Sequence, residues 1–314
     1  MKSTIILLAL MLAFSSAFAQ KGKVTSAQTL KEAGKIDEAF TTIEQTVDPS
    51  NPKAEKTIPW AKTWEVRGEI FQAIGQSTDE SIKKLSDDPL TEALNSYKKA
   101  LELDTKGNNE KSVKIKLTLL TNDLTNQAIN AFQVENYDLA LSSFEQILEV
   151  NDMPIVKADS PDAVDTVIIF NAGLAAYNGG DYEKAITYYK ESAKYGYNGP
   201  RTYNLISASY QMMKDTTAAL ESLREGYTKY PDDNAILESM IQIYMDLDKT
   251  DEALANLEKA IAQDPTKPRY YFAQGALYEK MSNEKKAIET YKKTLEVDPE
   301  FFNAYYNLGA LYYN

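Results

Sequence analysis

The chain repeats a pattern every 34 residues, and this period constrains its fold more than any other feature of the sequence. Pro231, Pro265 and Pro299 follow one another at that spacing. Two further sets share this spacing. The alanines are Ala219, Ala253 and Ala287, and the tyrosines are Tyr210, Tyr244 and Tyr278. Repeats of roughly 20 to 50 residues are typical of solenoids, in which each unit packs only against its neighbours. We therefore expect a stack of similar units rather than one globular core.

Within each unit, apolar residues recur with the spacing of a helix. In the unit at 234–267 they stand three and four positions apart, as Leu254, Leu257, Ala260 and Ile261. Such spacing predicts an amphipathic helix. Polar turns such as residues 178–181 interrupt each unit midway, and the repeated proline ends its second helix. Each unit is therefore predicted to be a pair of antiparallel helices.

The register of the repeat divides the chain into segments. Four regular units are predicted over 166–301, and the first helix of a further, incomplete unit over 302–314. Divergent units are predicted over 20–154, with insertions near 76–88 and 155–165. Both insertions are acidic and rich in turn residues, which favours surface excursions.

A column of small residues lies twelve repeat positions before the repeated alanine. In four units this small residue is a glycine, at Gly68, Gly173, Gly275 and Gly309. Glycine inside a helix costs about 1 kcal/mol relative to alanine, so its reuse indicates a place where two helices approach closely. Ile241 occupies the same column in the unit at 234–267 and predicts a wider helix pair there.

These columns resemble the repeat of the tetratricopeptide repeat (TPR) family. The pattern is most complete at Tyr271, Gly275, Tyr278, Ala287, Tyr291 and Pro299. The resemblance covers residues 20–314 apart from the insertions. It implies an all-α fold, a right-handed superhelical solenoid of antiparallel helix pairs whose first helices line a concave groove. It also implies that this groove binds a protein or peptide partner.

The resemblance assigns the groove to first-helix residues that point away from the second helix. The candidate lining residues are Asn126, Phe170, Asn171, Leu174, Tyr177, Arg201, Asn204, Gln211, Arg269, Phe272, Tyr306 and Asn307. Three asparagines share one column and could pair with an extended peptide backbone, or could simply face water. Arg201 and Arg269 share another column and could bind a partner's carboxylate or a neighbouring repeat.

Composition narrows the chemistry that this chain offers. It contains no histidine and no cysteine, which removes the commonest general base, the commonest metal ligand and any disulfide. Its formal net charge of −12 disfavours nucleic acid, because phosphates are repelled. We therefore predict no catalytic residues, no metal and no cofactor.

Residues 1–19 have the pattern of a secretory signal peptide. Lys2 precedes an apolar run at 5–14, and small residues lead to a cleavage site near Ala19. The run is shorter than the roughly 20 residues of a membrane span. We expect an exported protein, periplasmic or extracellular, without a membrane span.

These features are compatible with three functions. The first is a non-catalytic interaction scaffold in the bacterial envelope that binds a peptide or protein in the groove. The alternative is a carbohydrate-binding accessory protein, since some of the 21 tyrosines could stack on sugars. A hydrolase built on two carboxylates is less favoured, because 46 acidic residues supply pairs by chance and none is singled out.

The C-terminal segment is unusually aromatic. We expect Tyr305, Gly309 and Tyr312 to pack on the second helix of the unit at 268–301. The remaining apolar face then lacks a second helix, although solenoids end in a cap with a polar outer face. This predicts either a longer natural chain, or self-association or partner binding through the C-terminal helix.

Overall fold

The structure is a computed structural model that describes residues 20–231, 233–247 and 249–313. The predicted signal peptide at 1–19 lies outside the described residues. Within them the chain is helical and contains no strand, so the prediction of an all-α chain of helix pairs is confirmed. None of the helices described has the length together with the apolar character that crossing a bilayer requires.

The chain divides into two compact bodies, which meet in sequence between Ile168 and Ile169. The helices of the N-terminal body are α1 (20–32), α2 (Ile36–Val47), α3 (Ala61–Gln76), α4 (Glu80–Lys83), α5 (Pro89–Leu103), α6 (Glu110–Gln133), α7 (Tyr137–Asp152) and α8 (Pro154–Lys157), with a 3-10 helix at Pro52–Lys56. Here α3 pairs with α5 and α6 with α7. The short α4 lies between α3 and α5, within the predicted insertion.

The second body consists of regular pairs. Its helices are α9 (Thr166–Gly179, which begins just before the boundary), α10 (Tyr182–Lys194), α11 (Gly199–Met212), α12 (Thr216–Lys229), α13 (Asn234–Asp246), α14 (Thr250–Gln263), α15 (Pro268–Lys280), α16 (Glu284–Val297) and α17 (Phe302–Tyr313). Each pair contacts the next, and the first helix α13 also touches the first helices α11 and α15.

The turns inside four of the pairs share one local design. A residue with positive φ comes first, at Glu135, Gly180, Lys214 and Ser282. The next residue is an Asp or Asn whose side chain accepts a hydrogen bond from the backbone N–H three positions on, at Asn136, Asp181, Asp215 and Asn283. Such a cap contributes about 1 kcal/mol to a helix. Lys249 takes this place before α14 and makes no side-chain cap.

The glycine column is where the two helices of a pair meet. A Cβ atom built on Gly68 would lie 2.4 Å from the ring of Tyr97, and one on Gly275 would lie 2.6 Å from the ring of Tyr291. A Cβ atom built on Gly173 would lie 2.8 Å from the ring of Tyr189. All three tyrosines are fully buried. Each of these glycines therefore makes room for one tyrosine ring.

The pair α13–α14 departs from this design. Ile241 fills the glycine column there, and a cavity of about 260 Å³ lies between α12, α13 and α14. Its lining includes Ile241, Tyr244 and Leu257. This opening agrees with the wider pair expected from Ile241.

The C-terminal helix corrects one expectation. The side of α17 that packs on α16 is formed by Ala304 and Leu308, which join Ala287 and Tyr291 in one buried cluster. Tyr305 and Tyr312 are 53% and 62% exposed, and a Cβ on Gly309 would meet nothing within 4 Å. The expected packing on α16 was therefore wrong for Tyr305 and Gly309, whereas the centroid of the Tyr312 ring lies 5.7 Å from Lys292 Nζ on α16. In the complete unit at 268–301 the glycine column contacts the second helix of its own unit, because Gly275 packs on Tyr291 of α16.

Candidate functional site

A small apolar pocket lies on the first helices of the C-terminal body. It is formed by α13, α15 and the start of α17 and has a volume of about 130 Å³. Its apolar walls are Leu237, Ile241, Phe272, Ala273, Ala276 and Phe301, and its polar lining is Glu238, Arg269 and Asn303. This arrangement can hold one apolar side chain while charged groups of both signs contact whatever flanks it.

The packing beneath the pocket fixes its aromatic wall. The ring of Phe272 lies 5.5 Å from that of Tyr291 and 5.1 Å from that of Phe301, measured between centroids. Tyr291 is itself fixed by donating a hydrogen bond to Glu279 Oε2 at 2.8 Å. Because Phe272 packs on the rings of Tyr291 and Phe301, the wall exists before any ligand arrives, which lowers the entropic cost of binding.

The structure brings two of the sequence-predicted lining residues together in this pocket, Arg269 and Phe272. Phe170 is placed differently. It is 3% exposed, and its ring lies 5.5 Å from the rings of both Tyr189 and Tyr197. Its side chain belongs to the core and is not available to line a groove, because the aromatic residues of α10 and the turn after it cover it.

The other predicted residues of α9 and α11 lie at the surface or close to it. Asn171, Leu174 and Tyr177 are half-buried on α9. The exposed Arg201 has its guanidinium 5.8 Å from the centroid of the Phe170 ring, so this cation covers an aromatic face instead of a carboxylate.

Two predicted amide residues on α11 bond within their own helix. The half-buried Asn204 donates weakly to the Pro200 carbonyl at 3.5 Å. Gln211 is exposed and donates to Ser207 Oγ at 3.4 Å. Neither contact is short, so both amides can exchange these bonds for others.

The asparagine column does not give one shared environment. Asn307 donates to Tyr291 Oη at 2.9 Å, so its amide stabilises a core tyrosine. Asn126, in the N-terminal body, is exposed and lines a separate cavity of about 570 Å³ together with Asp123 and Asn130. Tyr306, beside Asn307, is 80% exposed. Equal repeat positions therefore face different neighbours in different pairs.

Sequence reasoning missed a charged network on the first helices of the N-terminal body. Lys116 on α6 contacts Glu65 and lies 2.8 Å from Glu69, both on α3, and Lys31 on α1 also contacts Glu69. Glu65 is 1% exposed and also lies 3.2 Å from Lys62 Nζ. The signal that could have revealed it is Glu65 among the mostly apolar buried residues of α3.

The network controls the protonation of its members. Burial alone would raise the pKa of Glu65, but hydrogen bonds from Lys116 and Ser112 and the charges of Lys116 and Lys62 outweigh it and hold the pKa below its ordinary value. Burial would likewise lower the pKa of Lys116, yet its bonds to Glu65 and Glu69 raise it. Both groups therefore stay charged, and the network is a structural link between first helices.

No group of three or more acidic residues with the geometry of a metal site occurs in the part of the chain that the structure describes.

Solved structures similar to this chain include other repeat proteins. A TPR repeats protein from Bacteroides fragilis is 18% identical with a TM-score of 0.42, covering 61% of this chain and 97% of that one. YrrB, described as a TPR protein with an unusual peptide-binding site, is 18% identical with a TM-score of 0.35, covering 68% of this chain and 98% of that one. The MamA protein is 19% identical with a TM-score of 0.38, covering 57% and 92%. No curated protein sequence matches this chain.

Two family models match the repeat itself. Residues 125–194 and 170–234 match a model described as tetratricopeptide repeat, and residues 242–282 and 285–314 match one described as TPR repeat. The matches follow the helix pairs from α6 to α16 and include α17. Together they cover more than half of the sequence, and the chain therefore belongs to the tetratricopeptide repeat family.

Proposed function

We propose that the chain is a non-catalytic scaffold that binds a segment of a partner protein along the first helices of its C-terminal body. The observation that carries this proposal is the pocket between α13 and α15, where Phe272 and Ile241 form an apolar wall beside Glu238 and Arg269. Its volume of about 130 Å³ suits one apolar side chain. The flanking charges suit the polar backbone and neighbouring residues of a peptide.

A substitution that fills the pocket without removing a core contact tests this. Ala276 lines the pocket and is half-buried, so Ala276→Glu places a carboxylate among apolar walls. The matched control is Ala262→Glu, at an exposed position of the second helix α14. A displayed library of random peptides supplies the probe, and the affinity of one enriched, fluorescently labelled peptide is then measured by anisotropy.

We expect enriched peptides to share one apolar position. Ala276→Glu should weaken binding by at least about tenfold, because its longer side chain occupies the pocket and its carboxylate loses water under an apolar ligand group; a factor of ten corresponds to about 1.4 kcal/mol. Ala262→Glu should leave the affinity unchanged. Failure to enrich any peptide, or equal binding by both variants, would count against the pocket as the binding site.

We further propose that the scaffold works outside the cytoplasm, in the envelope of a bacterium. The supporting observation is the sequence of residues 1–19, with its positive start, short apolar run and small residues before Gln20. Expression of the full chain in a bacterial host and mass measurement of the periplasmic protein should give a chain that begins at Gln20. An intact chain in the cytoplasm would contradict the proposal.

A further inference from the structure

The cavity between α12, α13 and α14 lies where the packing design of the repeat is broken. In three other pairs a buried tyrosine ring of the second helix packs on a glycine, as Tyr291 does on Gly275. Here Ile241 stands in the glycine column and Leu257 in the tyrosine column, and both line the cavity of about 260 Å³. An apolar cavity of about 150 Å³ is enough to hold benzene. The space therefore accommodates an aromatic ring with a short substituent.

The walls of this cavity are apolar. Leu237 and Met240 on α13 and Leu257 on α14 line it and are buried. Tyr227 on α12 adds an aromatic wall, and its ring packs 6.3 Å from that of Tyr270, measured between centroids. A ligand body enclosed by these residues must be apolar, because a polar group would lose water without gaining a partner.

Hydrogen-bond donors meet at one edge of the cavity. Tyr244 is 2% exposed, and its hydroxyl oxygen accepts from Arg224 Nη2 at 2.6 Å and from Asn256 Nδ2 at 2.9 Å. Arg224 and Asn256 are exposed lining residues, so the cavity reaches the surface beside them. Because the Tyr244 oxygen already accepts twice, its own O–H remains to donate, and the guanidinium has further N–H groups.

This edge has no carboxylate of its own among the described lining residues. Arg224 also forms no ion pair within the part of the chain that the structure describes, and the adjacent Glu225 lies 3.2 Å from Lys229 Nζ instead. A cluster of donors that includes a guanidinium is matched by a group that only accepts, and a carboxylate accepts from an arginine fork on two oxygens.

The equivalent cation one repeat earlier shows what belongs to the repeat. Lys190 donates to Tyr210 Oη at 2.7 Å, as Arg224 does to Tyr244. The link from a cation to a tyrosine is thus shared by both units and ties neighbouring pairs together. At Arg224 this link stands beside a cavity and carries a planar fork in place of an ammonium group.

We propose that the cavity binds a small aromatic carboxylic acid, with its ring between Leu237 and Leu257 and its carboxylate against the Arg224 guanidinium and the Tyr244 hydroxyl. This site does not depend on the proposed peptide pocket. The two share the walls Leu237 and Ile241, but they take different ligands. Each is measured with its own probe, so either proposal can fail while the other stands.

Ligand-detected NMR titration of the full chain tests the site with three probes. Phenylacetate carries both the ring and the carboxylate, phenylacetamide is its neutral analogue of the same shape, and acetate lacks the ring. Phenylacetate should bind at least about tenfold more tightly than either, because it alone uses the walls and the cation together. No detectable binding of phenylacetate at about 10 mM overturns the proposal, and equal affinity for phenylacetamide overturns the role of the guanidinium.

Two variants and a matched control locate the bound probe. Arg224→Gln changes an exposed residue and should weaken phenylacetate at least about tenfold while leaving phenylacetamide unchanged. Lys190→Gln removes the equivalent cation of the preceding unit and should change neither affinity. Leu257→Phe places a ring in the cavity and should abolish binding of both probes, with circular dichroism to show that the helices persist. Undiminished phenylacetate binding by Arg224→Gln, or by a helical Leu257→Phe, overturns this location.

Discussion

The helices α3 and α15 are built alike inside their own pairs but meet the neighbouring first helices by different chemistry. Gly68 on α3 and Gly275 on α15 each receive a buried tyrosine ring. Toward its neighbours, α3 uses the buried charges of Glu65 and Glu69, whereas α15 offers the apolar pocket around Phe272. The comparison indicates that the repeat fixes packing within a pair and leaves the first-helix surface free to differ.

The glycine that receives a tyrosine ring, which α3 and α15 share, should give the largest effect on the free energy of unfolding. Gly275→Ile forces a branched side chain into the space of the Tyr291 ring, which a Cβ alone would approach to 2.6 Å. We expect a loss of about 3 kcal/mol in the free energy of unfolding, measured by urea denaturation. If the free energy of unfolding did not change, α15 and α16 could move apart without destabilising the protein, and the glycine column would not constrain packing.

A second substitution should restore part of the stability that Gly275→Ile removes, because another unit of the chain already pairs isoleucine with leucine at these two repeat positions. Ile241 and Leu257 occupy the two columns in the unit at 234–267. The double variant Gly275→Ile with Tyr291→Leu should therefore be more stable than the sum of the single effects, with a coupling of about 2 kcal/mol. Strict additivity in this double-mutant cycle would contradict direct contact between the two columns.

The charged network on α3, which differs from the apolar pocket of α15, should give the next largest effect on the free energy of unfolding. Lys116→Met leaves Glu65, at 1% exposure, with only Lys62 as a cationic partner. We expect a loss of about 2 to 3 kcal/mol at pH 7, below the full cost of stranding a buried charge because Lys62 remains. Urea denaturation measures it, and Lys99→Met on the exposed face of α5 is the control.

The pH dependence of this loss separates charge from packing. In the native chain the pKa of Glu65 lies below its ordinary value of 4.5, so its stabilisation is present above that pH and declines as the pH falls below it. Without Lys116, burial dominates and the pKa of Glu65 rises. Protonation of Glu65 at low pH then removes the buried charge, so the variant loses less stability in acid. The difference in stability between the two proteins should shrink from pH 7 to pH 4, whereas a purely packing effect would stay constant.

The smallest effect should come from the bare member of the glycine column. Gly309→Ala meets no atom within 4 Å and replaces a poor helix former, so α17 should gain about 0.5 to 1 kcal/mol. Amide hydrogen exchange in α17 should slow accordingly. Gly275→Ala is the matched comparison and should destabilise the protein, because its Cβ meets Tyr291. A change in stability of the same sign at Gly275 and Gly309 would refute the distinction between a covered and an open glycine.

The sequence predicted the pair architecture because its signals are local. The 34-residue period, the apolar spacing within helices and the Asp or Asn at positions such as Asp181 and Asp215 act over a few residues each. A glycine such as Gly275 already indicated close approach, since it would otherwise only weaken its helix. These features determined which residues are helical and where each pair turns.

The candidate site depended on contacts that no local pattern contains. Arg269 and Phe272 line one pocket with Glu238 only because α13 and α15 pack side by side, whereas Phe170, in a similar pattern, is covered by Tyr189 and Tyr197. Asn307 bonds to Tyr291 because of the residue that happens to stand opposite. The sequence by itself determined the repeat, the helix pairs and the absence of histidine and cysteine chemistry. Only the tertiary structure decided which first-helix residues are buried, paired or open, because those outcomes depend on side chains far apart in the chain.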